Sequence, residues 1–135
     1  MTFVLDTVTF DCADPEVMAR FWAAALGWDT GEADGLDIDE EGAFIKPSGT
    51  TDEMPFQGLY FQKVPEGKVV KNRLHLDVRP HDSMAQEVER AVALGATIQR
   101  RVDVEGSFWT IMLDPEGNEF CILRGPEDGW SRPEL

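Results

Sequence analysis

"DCADPEVMARFWAAALGW", residues 11–28, holds a strand end, a helix start and a helix stop in one run. The Asp14 carboxylate suits the cap position, where it accepts from the free N–H groups of a first helical turn. Pro15 suits the first helical position, where its missing N–H leaves nothing unpaired. Val17, Met18, Phe21, Trp22, Ala25 and Leu26 recur at helical spacing along one stripe that ends at Gly27. The stripe reads as core. Upstream, Phe3 to Cys12 alternates as a strand, with Val4, Val8 and Phe10 on one face and Leu5, Thr7, Thr9 and Asp11 on the other.

The same signals return further along. "KNRLHLDV", residues 71–78, alternates again, and the spacing predicts a strand over Arg73–Arg79. Leu74, Leu76 and Val78 should pack under a helix, while Arg73, His75 and Asp77 face the other way. A helix capped near Asp82 ends at Leu94 and Gly95, as the first ends at Leu26 and Gly27. Short strands are expected at Trp28–Glu32, Gly42–Lys46 and Gly58–Val64 in the first half. Those of the second are expected at Ile98–Val104, Ser107–Leu113 and Glu119–Leu123, with a type I turn at Asp114–Gly117. The link Glu32–Glu41 carries six acids and no base, which reads as a solvated hairpin or loop. The tail from Gly125 carries Trp130 and either packs on a neighbour or frays.

The order is therefore strand, helix and three strands, twice over, with Asp11 and Asp77 as equivalent positions. A four-stranded sheet with one helix leaves a face unburied, so two such modules are expected to join around a shared cleft. The predicted class is α+β: two βαβββ modules, about 3–64 and 72–124, in a single domain spanning 1–135.

Composition narrows the partners. A chain of 135 residues with 42% hydrophobic content suits one folded unit. A formal net charge of -14 argues against nucleic acid or an anionic membrane and favours a cationic or neutral small molecule. The start has two acids, Asp6 and Asp11, and no base, so it does not read as a secretory signal, and no uncharged run is long enough to span a bilayer. Cys12 and Cys121 lack C-x-x-C spacing and are expected to be reduced thiols in a cytoplasmic protein.

Taken together, "DCADPEVMARFWAAALGW", "KNRLHLDV" and "LDPEGNEFCIL", in that order, resemble the vicinal oxygen chelate superfamily, with its glyoxalase, bleomycin-resistance and dioxygenase fold. More narrowly, the chain resembles glyoxalase-like proteins of the actinobacterial type. That fold hosts lyases, isomerases, extradiol dioxygenases, fosfomycin-type transferases and drug-sequestering proteins. In metal-dependent members the resemblance implies four ligands, usually His, Glu or Gln, one from the first and one from the last strand of each module. Here the implied positions fall on Thr7, Tyr60 or its neighbour Phe61, Arg73 and Cys121, and an Arg guanidinium has no lone pair to give. The usual metal quartet is therefore expected to be missing. A rearranged zinc or iron site built from His75, Cys121 and either Asp11 or Asp77 is the alternative.

Strand parity gathers the candidate ligand-binding residues: Thr7, Asp11, Tyr60, Gln62, Arg73, His75, Asp77, Trp109 and Cys121, with Phe108 as an alternative to Trp109. His75 is the candidate catalytic acid or base, with a satisfied network of Arg73, His75 and the aspartates as the structural alternative. Cys121 is read either as a buried inert thiol or, beside a cation, as a nucleophile. The expected function is binding of a small polar or aromatic molecule by a homodimer with no resident cofactor. The alternative is a lyase, isomerase or dioxygenase with a rearranged metal or His75 acid-base chemistry.

Overall fold

The computed structural model describes residues 2–28 and 37–131, and the chain divides into two compact units, 1–68 and 69–135. In the first, β1 (Thr7–Cys12) is followed by α1 (Pro15–Leu26), β2 (Asp37–Ile38), β3 (Gly42–Ile45) and β4 (Gly58–Lys63), with sheet order β1-β4-β3-β2. The second has β5 (Leu76–Val78), α2 (Met84–Leu94), β6 (Thr97–Val104), β7 (Ser107–Leu113) and β8 (Glu119–Ile122), in the matching order β5-β8-β7-β6. The outer pairs β1–β4 and β5–β8 are parallel and the other pairings antiparallel. These are two βαβββ modules, as the repeat predicts.

Side-chain packing holds the first unit. Asp14 caps α1 by accepting from the Val17 N–H at 3.1 Å, and Gly27 closes the helix at φ 71°, a left-handed conformation that favours glycine. Met18, Ala19, Phe21, Trp22 and Ala23 are buried. Phe10 meets Trp22 at 5.9 Å and Phe61 at 5.2 Å between ring centroids. Burying each such side chain is worth about 1.5–3 kcal/mol. Gly58 sits at φ 146° against the Ile45 carbonyl, where a Cβ has no room. Gly42 lets the Tyr60 ring lie across β3, a space that any side chain at 42 would occupy.

The second unit has a smaller core and more polar fastening. Met84, Thr110, Met112, Phe120 and Ile122 are buried on the α2 side of its sheet. The α2 cap is Ser83, whose hydroxyl accepts from the Gln86 N–H, one residue past the Asp82 near which the sequence places it. Four residues, Arg79–Asp82, separate β5 from this cap, whereas Ala13 alone separates β1 from Asp14, and this longer turn moves the helix start. Asp128, in a 3-10 turn at Pro126–Asp128, accepts from the N–H groups of Met84 and Gly125 at 2.7 and 2.9 Å. Arg79 donates to the Arg124 carbonyl and stacks on Trp130 at 3.7 Å. The tail through Trp130 thus packs on its own unit.

Several expected bounds shift. Residues 3–6 precede β1, and Phe3, Val4 and Leu5 are exposed. β5 starts at Leu76, so Arg73, Leu74 and His75 lie before it, and Leu74 is 69% exposed where helix packing was expected. Most of the strand expected at Trp28–Glu32 lies outside the described residues, and Trp28 is not in a strand. β2 falls within the acidic link expected to be a hairpin or loop. The turn at Asp114–Gly117 forms as predicted, with the Gly117 N–H donating to the Asp114 carbonyl at 2.9 Å.

Candidate functional site

Register decides which side chains meet. Asp77 on β5 lies directly across from Cys121 on β8, and Ile111 on β7 is the next partner in that row. All three point away from α2, because the alternate residues Phe120, Ile122 and Met112 fill the α2 side. His75 precedes β5 by one residue and shares this direction with Asp77. Its Nε2 lies 3.3 Å from Asp77 Oδ1, an ion pair when the imidazole is protonated. One donor atom each from His75, Asp77 and Cys121 fall within 4.8 Å of one another. His75 and Asp77 side chains are 46% and 52% exposed, whereas Cys121 is 8% exposed. A buried sulfur therefore lies beneath two reachable polar groups.

Burial pushes the Cys121 thiol up from its usual range, and the Asp77 charge and a hydrogen bond to Asp77 push it further, against a smaller pull from Lys71. The nearby cation is Lys71, not Arg73, and the neighbour that dominates is an acid. Of the two readings of Cys121 this favours the buried thiol over the nucleophile: in the metal-free protein Cys121 stays protonated near neutral pH. Arg73 is exposed ahead of β5. Lys71 was not singled out in the sequence, where its position outside the strand pattern gives no signal.

The donor set fits a transition metal. A four-coordinate zinc has bonds of about 2.0 Å to nitrogen or oxygen and about 2.3 Å to sulfur. Such bonds place neighbouring donors roughly 3.3–3.8 Å apart; the His75–Asp77 separation meets this, and the 4.8 Å span of the three donors has to contract for an ion to seat. Imidazole with thiolate suits zinc or iron better than magnesium, and three ligands leave a position open.

The remaining predicted residues distribute differently. On the first unit Asp11 lies across from Gln62, and Thr9 across from Tyr60. The Thr7 hydroxyl donates to Asp6 at 3.0 Å. Trp109 is half-buried on β7, on the same side as Ile111 and Cys121. Phe108 has the opposite parity, with the guanidinium groups of Arg101 and Arg124 over its ring. Cys12 is buried with its thiol toward the Gln62 carbonyl, as an inert core cysteine should be. An open depression of about 480 Å³ on the first unit, lined by Asp6, Asp52, Glu53 and Met54 among others, includes none of the predicted residues.

The two parallel pairs superpose in register when Phe61 is matched with Phe120, both buried against their helices. The Val64 N–H then donates to the Cys12 carbonyl as the Leu123 N–H does to Val78, both at 2.9 Å. This match keeps Asp11 equivalent to Asp77 and makes Gln62 the counterpart of Cys121. By this register the residue equivalent to Cys121 is Gln62, one or two places beyond Phe61 and Tyr60.

With this geometry, the likeness to known proteins is consistent. The Glyoxalase-like domain family matches residues 7–123, and the chain belongs to it. Among solved structures, the fosfomycin resistance protein FosX from Mesorhizobium loti is similar at TM-score 0.65 and 16% identity, covering 93% of this chain and 94% of that one. A glyoxalase-related enzyme from Fulvimarina pelagi gives TM-score 0.62 and 18% identity over 90% and 88%. A mutant FosX from Listeria monocytogenes, complexed with Mn(II) and a dihydroxypropylphosphonic acid, gives 0.62 and 14% over 93% and 92%. At these identities the likeness establishes the fold. No curated protein matches the sequence. Among the described residues, no helix is long and apolar enough to cross a membrane.

Proposed function

We propose that this chain binds a small polar or aromatic molecule on the side of its second sheet facing away from α2. His75, Asp77 and Cys121 form the polar anchor, and Trp109 offers a flat apolar surface along the same side. The observation that carries this reading is the convergence of three different donors within 4.8 Å, two of them reachable from solvent. The imidazole donates or accepts at either nitrogen according to its protonation, and the Asp77 carboxylate orients it. Exposed Arg73 supplies a fork for a carboxylate or phosphate. Two buried free cysteines suit a reducing cytoplasm, and by family likeness the proposed assembly is a homodimer, which sedimentation of a bare monomer would remove.

The same convergence favours a second reading, in which the triad takes up zinc or iron in place of the family's usual quartet. A bound ion of this kind supplies Lewis-acid polarisation of a substrate oxygen. The protein's own part is to hold that ion with His75, Asp77 and Cys121, and to keep one side of it open. The activity would then be of lyase, isomerase or dioxygenase type.

Thermal-shift measurements on EDTA-treated protein test both readings, with zinc, iron(II) and manganese(II) added singly and with a panel of metabolites and antibiotics. Stabilisation by a small molecule that is lost in His75→Ala and Cys121→Ala supports the first. A panel that shifts neither the metal-free nor the zinc-loaded protein removes it. Zinc that leaves the melting temperature unmoved, together with no metal by elemental analysis, removes the second.

A further inference from the structure

His75 sits where the β5 ladder has already stopped. In the first unit the parallel pairing runs the full length of β1, from Thr7 opposite Gly58 to Cys12 opposite Lys63. The counterpart of His75 there is Thr9, fixed by a regular rung opposite Tyr60. In the second unit the rungs begin at Leu76 opposite Phe120, one residue after His75. The next rung back would set His75 opposite Glu119, and it is not made.

A side-chain clamp stands in its place. Glu119 Oε2 accepts from the Asn72 backbone N–H at 2.8 Å, and the Asn72 side-chain amide donates to the Glu119 carbonyl at 3.2 Å. Both contacts are partly buried, and the first is charge-assisted. Segment 72–75 is thus pinned at its far end by Asn72 and at its near end by the ladder at Leu76. Arg73 and Leu74 between them are exposed, so little packing restrains them.

We propose that Glu119 is a positioning residue: by clamping Asn72 it replaces the missing rungs and holds His75 against Asp77 and Cys121. This rests on the reading of those three residues as the site, and it adds a residue that acts through Asn72 and not as one of the three donors. Glu119→Gln keeps an acceptor of the same shape at lower strength, whereas Glu119→Ala removes it.

The direct test is an NMR measurement on labelled full-length chain. The wild type is expected to show contacts between the His75 ring protons and the Cys121 β-protons. Glu119→Ala is expected to lose them while keeping the β6–β7 cross-strand contacts and a cooperative melt, and Glu119→Gln to keep them. Cobalt(II) titration is the second readout: wild type and Glu119→Gln should bind with a thiolate charge-transfer band, and Glu119→Ala about 10- to 100-fold more weakly, as for other residues that orient metal ligands. If Glu119→Ala retains the His75–Cys121 contacts, the positioning role is wrong. Absence of those contacts in the wild type overturns the triad itself, and the positioning proposal with it. A wild type that shows them but ignores cobalt removes only the metal reading.

Discussion

The first unit is held by packing and the second by polar clamps, although both are βαβββ modules in the same strand order. α1 buries Met18, Phe21 and Trp22, whereas α2 buries only Met84 and Ala91 and leaves Val92 and Leu94 partly exposed. The second unit is instead fastened by Asp128 on the start of α2, by Arg79 on Trp130 and by Glu119 on Asn72. Their matched rungs differ in the same way. Thr9, Asp11 and Gln62 occupy the places that His75, Asp77 and Cys121 hold in the second unit. Burial can therefore maintain a repeated fold in one copy, while the other has a smaller core and uses directional bonds around the rungs that carry its candidate donors.

The largest expected effect probes the packing half. Trp22→Ala should cost about 3–5 kcal/mol, as for other large-to-small core changes, read from urea unfolding. A cost below that of any clamp variant would break the contrast. Next comes donor chemistry. On the reading in which the triad takes up zinc, Cys121→Ala and His75→Ala should each weaken zinc binding beyond the roughly 100-fold upper range for residues that only orient ligands. Thr9→Ala and Gln62→Ala should leave it unchanged, as titration calorimetry would show. Equal losses in both sets would mean that the first unit's donors take part.

Smaller effects separate the helix caps. Asp128→Ala removes an acceptor shared by two N–H groups and should cost about 2 kcal/mol, against about 1 kcal/mol for Asp14→Ala at the α1 cap. Both are measured by chemical denaturation, and the reverse order would weaken the claim that polar clamps matter more in the second unit. The smallest effect is in pH. Because folding raises the Cys121 thiol above its ordinary value, the unfolded chain loses that proton first as pH rises. Metal-free protein should therefore lose stability above the ordinary thiol range of about 8.5. The loss should be absent from the difference between wild type and Cys121→Ala if the thiol is not its source.

Most of the fold was legible in local chemistry. Asp14–Pro15 and Gly27 announce one helix, Gly95 ends the other, and the alternation in 71–78 marks a strand even though only Leu76–Val78 pairs. The α2 cap falls at Ser83, next to Asp82, because both are good cap residues and the length of the turn chooses between them. Spacing alone does not tell which of Tyr60, Phe61 and Gln62 is the counterpart of Cys121. Matching the buried Phe61 and Phe120 does so.

Sequence by itself determined the repeated βαβββ order, the helix stops and the side of the strand on which His75, Asp77 and Cys121 lie, because caps, turns and alternation are short-range effects. Tertiary structure decided that Asp77 lies across from Cys121, that Lys71 is the cation acting on the thiol, and that Glu119 reaches Asn72. These depend on strand register between segments more than forty residues apart in sequence, 47 for Asn72 and Glu119, which local preference does not encode.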